Sequence, residues 1–278
     1  MTVETKDFEV GRNRTNAKRQ IYCVGLGIRG FSHLTQEALK TIQKAETVLH
    51  IGLTGKHLER LNPSVKSLEH LYWSGRNDLD TYRRIAKEVI DTARTRLGST
   101  VFAVDGNPAF FNDITWEIYA RATRRRIPVE ILAGISCLDV LAIDVFCDPG
   151  DVGTQIFEAN QLVLYNLTMN PYLSTFILQI GWFGKSVLTK TCDRHRKRFA
   201  PLISHLLKFY PGMHPAIFVM SAEKTGRRSI MLRTRVSQIE SHAGKIHSGM
   251  TLYLPRMNIR VKNHDFYKSL RQNKPISG

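Results

Sequence analysis

Hydrophobic positions along this chain follow two rhythms that alternate. Gln20–Gly25 is a short apolar run ending in glycines, which predicts a buried strand. Thr35 then opens a helix: Thr35-Gln36-Glu37-Ala38 supplies a cap and an early acid, and Leu34, Ala38, Leu39 and Ile42 recur at helical spacing. Thr47–Ile51 reads as the next strand, and Thr81–Leu97 as an amphipathic helix with Tyr82, Ile85, Val89 and Ala93 along one face. Strand Thr100–Val104, helix Trp116–Arg125, strand Val129–Leu132 and the apolar helix Cys137–Phe146 complete the first half. Strands alternating with helices predict a mainly parallel α/β sheet.

The second half changes character. Gln161–Asn166, Ser186–Thr191, Ala216–Ser221, Ser229–Leu232 and Thr251–Leu254 read as strands, with a helix at Pro201–Phe209. The turn-rich Asp148–Gly153 marks a boundary. The expected division is a flexible basic arm over 1–19, an α/β domain over 20–150, a second over 151–256 and a basic tail over 257–278. Each domain is expected to hold a mainly parallel or mixed sheet flanked by helices.

Composition narrows this only slightly. The 278 residues have room for two modest domains, and no run approaches the roughly 18 apolar residues of a membrane span. The polar N-terminus lacks the apolar core of a secretory signal. Cys23, Cys137, Cys147 and Cys192 form no CxxC pair and read as reduced thiols of a cytoplasmic protein. The histidines form no metal-binding cluster, so no metal is expected. A net charge of +16 suits polyanions or acidic peptides, but aromatics are not interleaved with the basic runs, which leaves nucleic-acid binding unsupported.

Gly25-Leu26-Gly27-Ile28-Arg29-Gly30 matches GxGxxG after a strand, a pattern shared with dinucleotide folds. Two features argue against that use. The helix begins late, at Thr35, and the second strand offers Leu49-His50-Ile51 where a ribose-binding acid belongs. The loops Gly25/Gly27, Gly106-Asn107-Pro108 and Ala133-Gly134-Ile135-Ser136 each end a strand, and such loops turn backbone groups toward a ligand. Three ordinary βα turns would look similar one at a time.

Tyr22-Cys23-Val24-Gly25-Leu26-Gly27 with Leu34-Thr35-Gln36-Glu37-Ala38, Val104-Asp105-Gly106-Asn107-Pro108-Ala109-Phe110-Phe111, and Glu130-Ile131-Leu132-Ala133-Gly134-Ile135-Ser136 resemble, in order, the motifs of the tetrapyrrole-methylase superfamily. Ala133 replaces the family's usual proline. The resemblance implies two α/β domains with S-adenosylmethionine in the cleft between them, in a homodimer. It places Gly25, Gly27, Gly106, Pro108, Phe110, Phe111 and Ser136 at the cofactor, with Gln155, Ala216 and Thr251 from the second domain.

Asp80-Thr81-Tyr82, Asp148-Pro149-Gly150 followed by Gly153-Thr154-Gln155-Ile156-Phe157-Glu158-Ala159, Tyr210-Pro211-Gly212-Met213-His214, and Thr251-Leu252-Tyr253-Leu254-Pro255 are closer still to the borosin peptide N-methyltransferases. These methylate backbone amides of a ribosomally made precursor. After Pro255 only a short basic tail follows, with no apolar core-peptide segment, so the resemblance is to the split type acting on a separate peptide. For Gln155 and Glu158, a turn-forming or capping role stands beside ligand contact.

An amide nitrogen is a poor nucleophile because its lone pair is delocalised into the carbonyl. Methylating it requires removal of the N–H proton and stabilisation of charge on the oxygen. A tyrosine near a guanidinium would serve as a phenolate base, with arginine on the oxygen. Tyr72 and Tyr82 match the family's tyrosines; its arginine belongs four residues before Tyr82, where Asp78 stands, with Arg76 two residues further back. A macrocycle or RNA substrate, and a non-catalytic module that holds cofactor or peptide, are the alternatives.

Overall fold

A computed structural model describes residues 19–75, 77–185, 197–224 and 226–272. The arm expected over 1–19, apart from Arg19, and the strand expected at 186–191 lie outside the described residues. The chain divides into two compact units, Met1–Val140 with Ala222–Arg227, and Leu141–Ser221 with Arg228–Gly278. The Asp-Pro-Gly turn read as a boundary therefore lies within the second unit.

The first unit holds β1 (Arg19–Gly25), α1 (Gln36–Lys44), β2 (Thr47–Ile51), β3 (Val65–Ser67), α2 (Glu69–Tyr72), α3 (Asp78–Thr95), β4 (Gly98–Val104), α4 (Asp113–Arg124) and β5 (Val129–Leu132). Its sheet runs β3-β2-β4-β1-β5 with every pairing parallel. Side chains alternate across a strand. Ile21 and Cys23 of β1 accordingly meet Ile85 and Val89 of α3 and Ile118 of α4 on one face, while Val24 meets Ala38 and Ile42 of α1 on the other. Thr35 caps α1 as its sequence predicts, its Oγ1 accepting from the Ala38 N–H at 3.1 Å. A one-turn 3-10 segment at Gly30–His33 separates the glycines from that helix.

α5 (Cys137–Asp144) runs across the division. The second unit holds β6 (Thr154–Glu158), α6 (Ala159–Leu164), β7 (Ser174–Leu178), α7 (Ala200–Leu206), β8 (Pro215–Met220), β9 (Ile230–Arg235), β10 (Thr251–Leu254) and α8 (His264–Gln272). Its sheet is mixed, in the order β6-β7-β10-β8-β9, with only β6 and β7 parallel. The strand expected at Gln161–Asn166 is helix α6. The Glu158 carboxylate accepts from the N–H groups of Asn160 (3.0 Å) and Gln161 (2.6 Å), which starts a helix where a short apolar run alone reads either way. The basic tail contains α8, and no helix among the described residues is long and apolar enough to cross a membrane.

Candidate functional site

β4, β1 and β5 are adjacent and parallel, so the loops at 25–27, 105–108 and 133–136 leave the sheet at one edge. Their glycines serve first to bring backbone against backbone. A Cβ on Gly25 would stand 2.5 Å from the Gly106 carbonyl oxygen and 2.7 Å from Gly134 Cα, and one on Gly134 would overlap the same oxygen. Gly27 and Gly106 exchange hydrogen bonds: the Gly27 N–H donates at 3.1 Å and the Gly106 N–H at 2.8 Å. The groups that sequence reasoning turned toward a ligand are thus partly used within the loops.

Gly106 nonetheless leaves space. At φ +77° its Cβ would meet nothing nearer than Ile28 Cδ1 at 3.5 Å. Pro108 beside it is buried, Phe110 is half-buried and Phe111 is exposed, the two rings 6.3 Å apart. A bare backbone floor next to an open aromatic ring fits S-adenosylmethionine, whose adenine needs no charged partner and whose sulfonium is attracted by a ring face. Ser136 is buried and caps α5: its N–H and Oγ donate to Asp139 Oδ2 at 2.6 and 2.7 Å, and its Oγ accepts from the Asp139 N–H at 3.3 Å. That hydroxyl is engaged in starting the helix.

Tyr72 ends α2, and Tyr82 lies in the first turns of α3; both pack half-buried against the cluster of Ile85, Val89 and Ile114. The Tyr72 ring meets Trp73 edge-on at 4.9 Å. Burial, followed by the charges of Asp78, Asp105 and Asp113, pushes the Tyr72 phenol well above its ordinary pKa. Burial and these three carboxylates all disfavour the phenolate at Tyr72. Asp78 is the first residue of α3, where Asn77 Oδ1 caps the helix by accepting from the Leu79 N–H at 2.9 Å, and a carboxylate there complements the helix dipole. Arg76 lies outside the described residues.

Two groups near Tyr72 escaped the sequence reading, Asp105 and Asp113, as did the burial of His50 on β2. Asp105 and Asp113 open the loop after β4 and the helix α4, and Asp105 was legible as the residue before the glycine motif. His50 looked like a missing ribose ligand.

In the second unit Gln155 is a clamp. Its Nε2 donates to the Asn170 carbonyl at 2.7 Å and to Thr175 Oγ1 at 2.8 Å, and its Oε1 accepts from the Asn170 N–H at 3.1 Å. Thr175 Oγ1 lies in turn 3.0 Å from the Tyr210 hydroxyl. Ala216 and Thr251 are buried in β8 and β10, with Thr251 opposite Val219 rather than beside Ala216.

Residues 20–239 match the family model of the Tetrapyrrole (Corrin/Porphyrin) Methylases. The chain is 27% identical over 261 residues to a methyltransferase/type I borosin cyclic peptide precursor of Coprinopsis marcescibilis, covering 90% of this chain and 66% of that one. It is 23% identical over 252 residues to the methyltransferase/omphalotin A precursor of Omphalotus olearius, covering 89% and 60%. The chain thus spans less than two thirds of the length of these relatives. Among solved structures, a uroporphyrin-III C-methyltransferase of Thermus thermophilus complexed with S-adenyl homocysteine superposes with a TM-score of 0.60 at 17% identity, covering 85% of this chain and 97% of that one. Cobalt precorrin-4 methyltransferase gives a TM-score of 0.63 at 13% identity, covering 88% and 98%. S-adenosylmethionine is the methyl donor of this family. With its motifs in order on a parallel sheet edge and the match spanning most of its length, the chain belongs to the tetrapyrrole methylases.

Proposed function

We propose that this chain transfers methyl groups from S-adenosylmethionine to backbone amide nitrogens of a peptide delivered as a separate chain. The observation that carries this reading is its similarity, over about nine tenths of its length, to proteins whose names join a methyltransferase to a cyclic peptide precursor. When bound, the cofactor supplies an activated methyl on a sulfonium, so no metal is needed. Gly25, Gly27, Gly106, Pro108, Phe110, Phe111 and Ser136 would hold it from the first unit.

The neutral phenol of Tyr72 suits it to donate a hydrogen bond to the amide oxygen as negative charge develops there. Arg76 is assigned to the same oxygen. Tyr82, in the first turns of α3, is assigned to accept the departing N–H proton as its phenolate, becoming the neutral phenol. A homodimer is part of the proposal, with the exposed Ile143 and Phe146 of the second unit offered to its interface.

The test is incubation of the purified protein with S-adenosylmethionine and peptides carrying an apolar C-terminal segment, read by mass spectrometry for successive additions of one methyl. Methylation of backbone nitrogens is expected. Cofactor binding without methylated peptide would point to a non-catalytic module, and product on a corrin-type macrocycle to the other substrate class.

A further inference from the structure

The basic run at the end of α4 has no part in the methyl-transfer site. Arg125 and Arg126, with Arg19 of β1 and Arg94 in the last turn of α3, line one cavity of about 230 Å³ together with Ile127 and Pro128. The cavity lies within the first unit, at the end of the parallel sheet away from the glycine loops. Arg19 begins β1, which ends at Gly25, and the Ile21 N–H donates to the Pro128 carbonyl at 2.9 Å just before β5 begins.

Two observations set this cavity apart from an ordinary basic surface. First, all four arginines are exposed, and none makes an ion pair with a described carboxylate. The nearest acids on the two helices are paired elsewhere, Asp91 with Lys87 and Glu117 with Arg121, each at 2.6 Å. Like charges gathered without counter-charge repel one another and cost the fold stability. The ends of α3 and α4 offset part of this for Arg94 and Arg125; Arg19, which starts a strand, has no such end to complement. Second, Arg126 stands in the left-handed region at φ +57°. There the Arg126 N–H donates to the Thr123 carbonyl at 3.1 Å and the Ile127 N–H to the Ala122 carbonyl at 3.0 Å, a helix ending whose left-handed position is ordinarily filled by glycine. An arginine at this position works against its own backbone, and the same two bonds fix the point from which its side chain departs.

We infer that this cavity binds a phosphate-bearing small anion, either free or as part of a nucleotide. Guanidinium forks suit phosphate and carboxylate alike. Charge per volume separates the two. A phosphate group carries about two negative charges and three acceptor oxygens on one centre, whereas a carboxylate brings a single charge. An acidic peptide would need several carboxylates spread along its length. A cavity below the roughly 300 Å³ of an ordinary small-molecule pocket, bordered by four cations, takes the compact group. The site is independent of which substrate accepts the methyl group.

Calorimetry on the full chain tests this, at low ionic strength and with S-adenosylhomocysteine in excess so that the cofactor site is occupied. The probes are inorganic pyrophosphate and ATP, with a glutamate-rich peptide for comparison. Both phosphates are expected to bind, with affinity falling as salt is added. Equal affinities point to a free phosphate ligand, and tighter binding of ATP points to a nucleotide. Arg94→Gln and Arg126→Gly should each weaken binding about tenfold. Arg126→Gly should also raise the melting temperature of the anion-free protein by about 2 °C, because glycine accepts the left-handed cap. A loss of affinity joined to a gain in stability separates a binding role from a structural one. Failure of both phosphates to bind, binding unchanged in both variants, or tighter binding of the peptide overturns the inference.

Discussion

The two sheets solve the same problem, fixing the ends of strands, by opposite means. In the first unit the loops after β1, β4 and β5 lock by glycine backbones pressed together, with Gly27 and Gly106 bonded to each other. In the second, strand ends are pinned by side chains: Gln155 to Asn170 and Thr175, and His214 Nε2 2.8 Å from the Pro255 carbonyl. Backbone locking leaves a floor without side chains against which a flat ligand can lie. Side-chain clamping instead commits polar side chains to holding the strands.

The sharpest way to break this contrast is Gly25→Ala. The new methyl meets backbone atoms of Gly106 and Gly134 that have nowhere to go, so a loss of at least about 3 kcal/mol, the top of the usual overpacking range, is expected in denaturant unfolding. A variant of unaltered stability would show that the glycine approach is looser than described.

Tyr72→Phe comes next. It keeps the ring packed against the core and removes only the donor, so kcat should fall about 100-fold with little change in melting temperature. Loss of a phenolate base would remove the rise of rate toward the tyrosine range; loss of a protonated donor leaves that rise to Tyr82.

Gln155→Leu probes the other sheet. Losing the clamp should cost about 2 kcal/mol in unfolding while cofactor affinity, read by calorimetry, stays the same. A weakened affinity at constant stability would return Gln155 to the cofactor.

The smallest effect is alkaline. Burial in β1 pushes the Cys23 thiol up to about 12, so the folded state holds a proton that the unfolded chain releases near its ordinary value of about 8.5. This contribution is complete below that ordinary value and is lost as pH rises toward the folded one. Unfolding free energy should therefore decline across that window, and Cys23→Ala should shallow the slope.

The strands Thr47–Ile51, Val129–Leu132 and Thr251–Leu254 and the Thr35 cap were legible in the sequence, because a buried strand needs a continuous apolar run and a cap needs a hydroxyl at one position. The run at 161–166 was misread as a strand because six residues carry too little period to separate strand from helix, and the deciding group was the carboxylate of Glu158. The ordered glycine motifs marked the loops that pack against one another for the same local reason: only glycine permits backbones so close.

The sequence by itself thus determined the alternation of elements, the glycine loops and the family they belong to. Tertiary structure alone decided the raised pKa of the Tyr72 phenol and of the Cys23 thiol. Those depend on charges and burial contributed by residues distant in the chain, through fields and desolvation that no local pattern encodes.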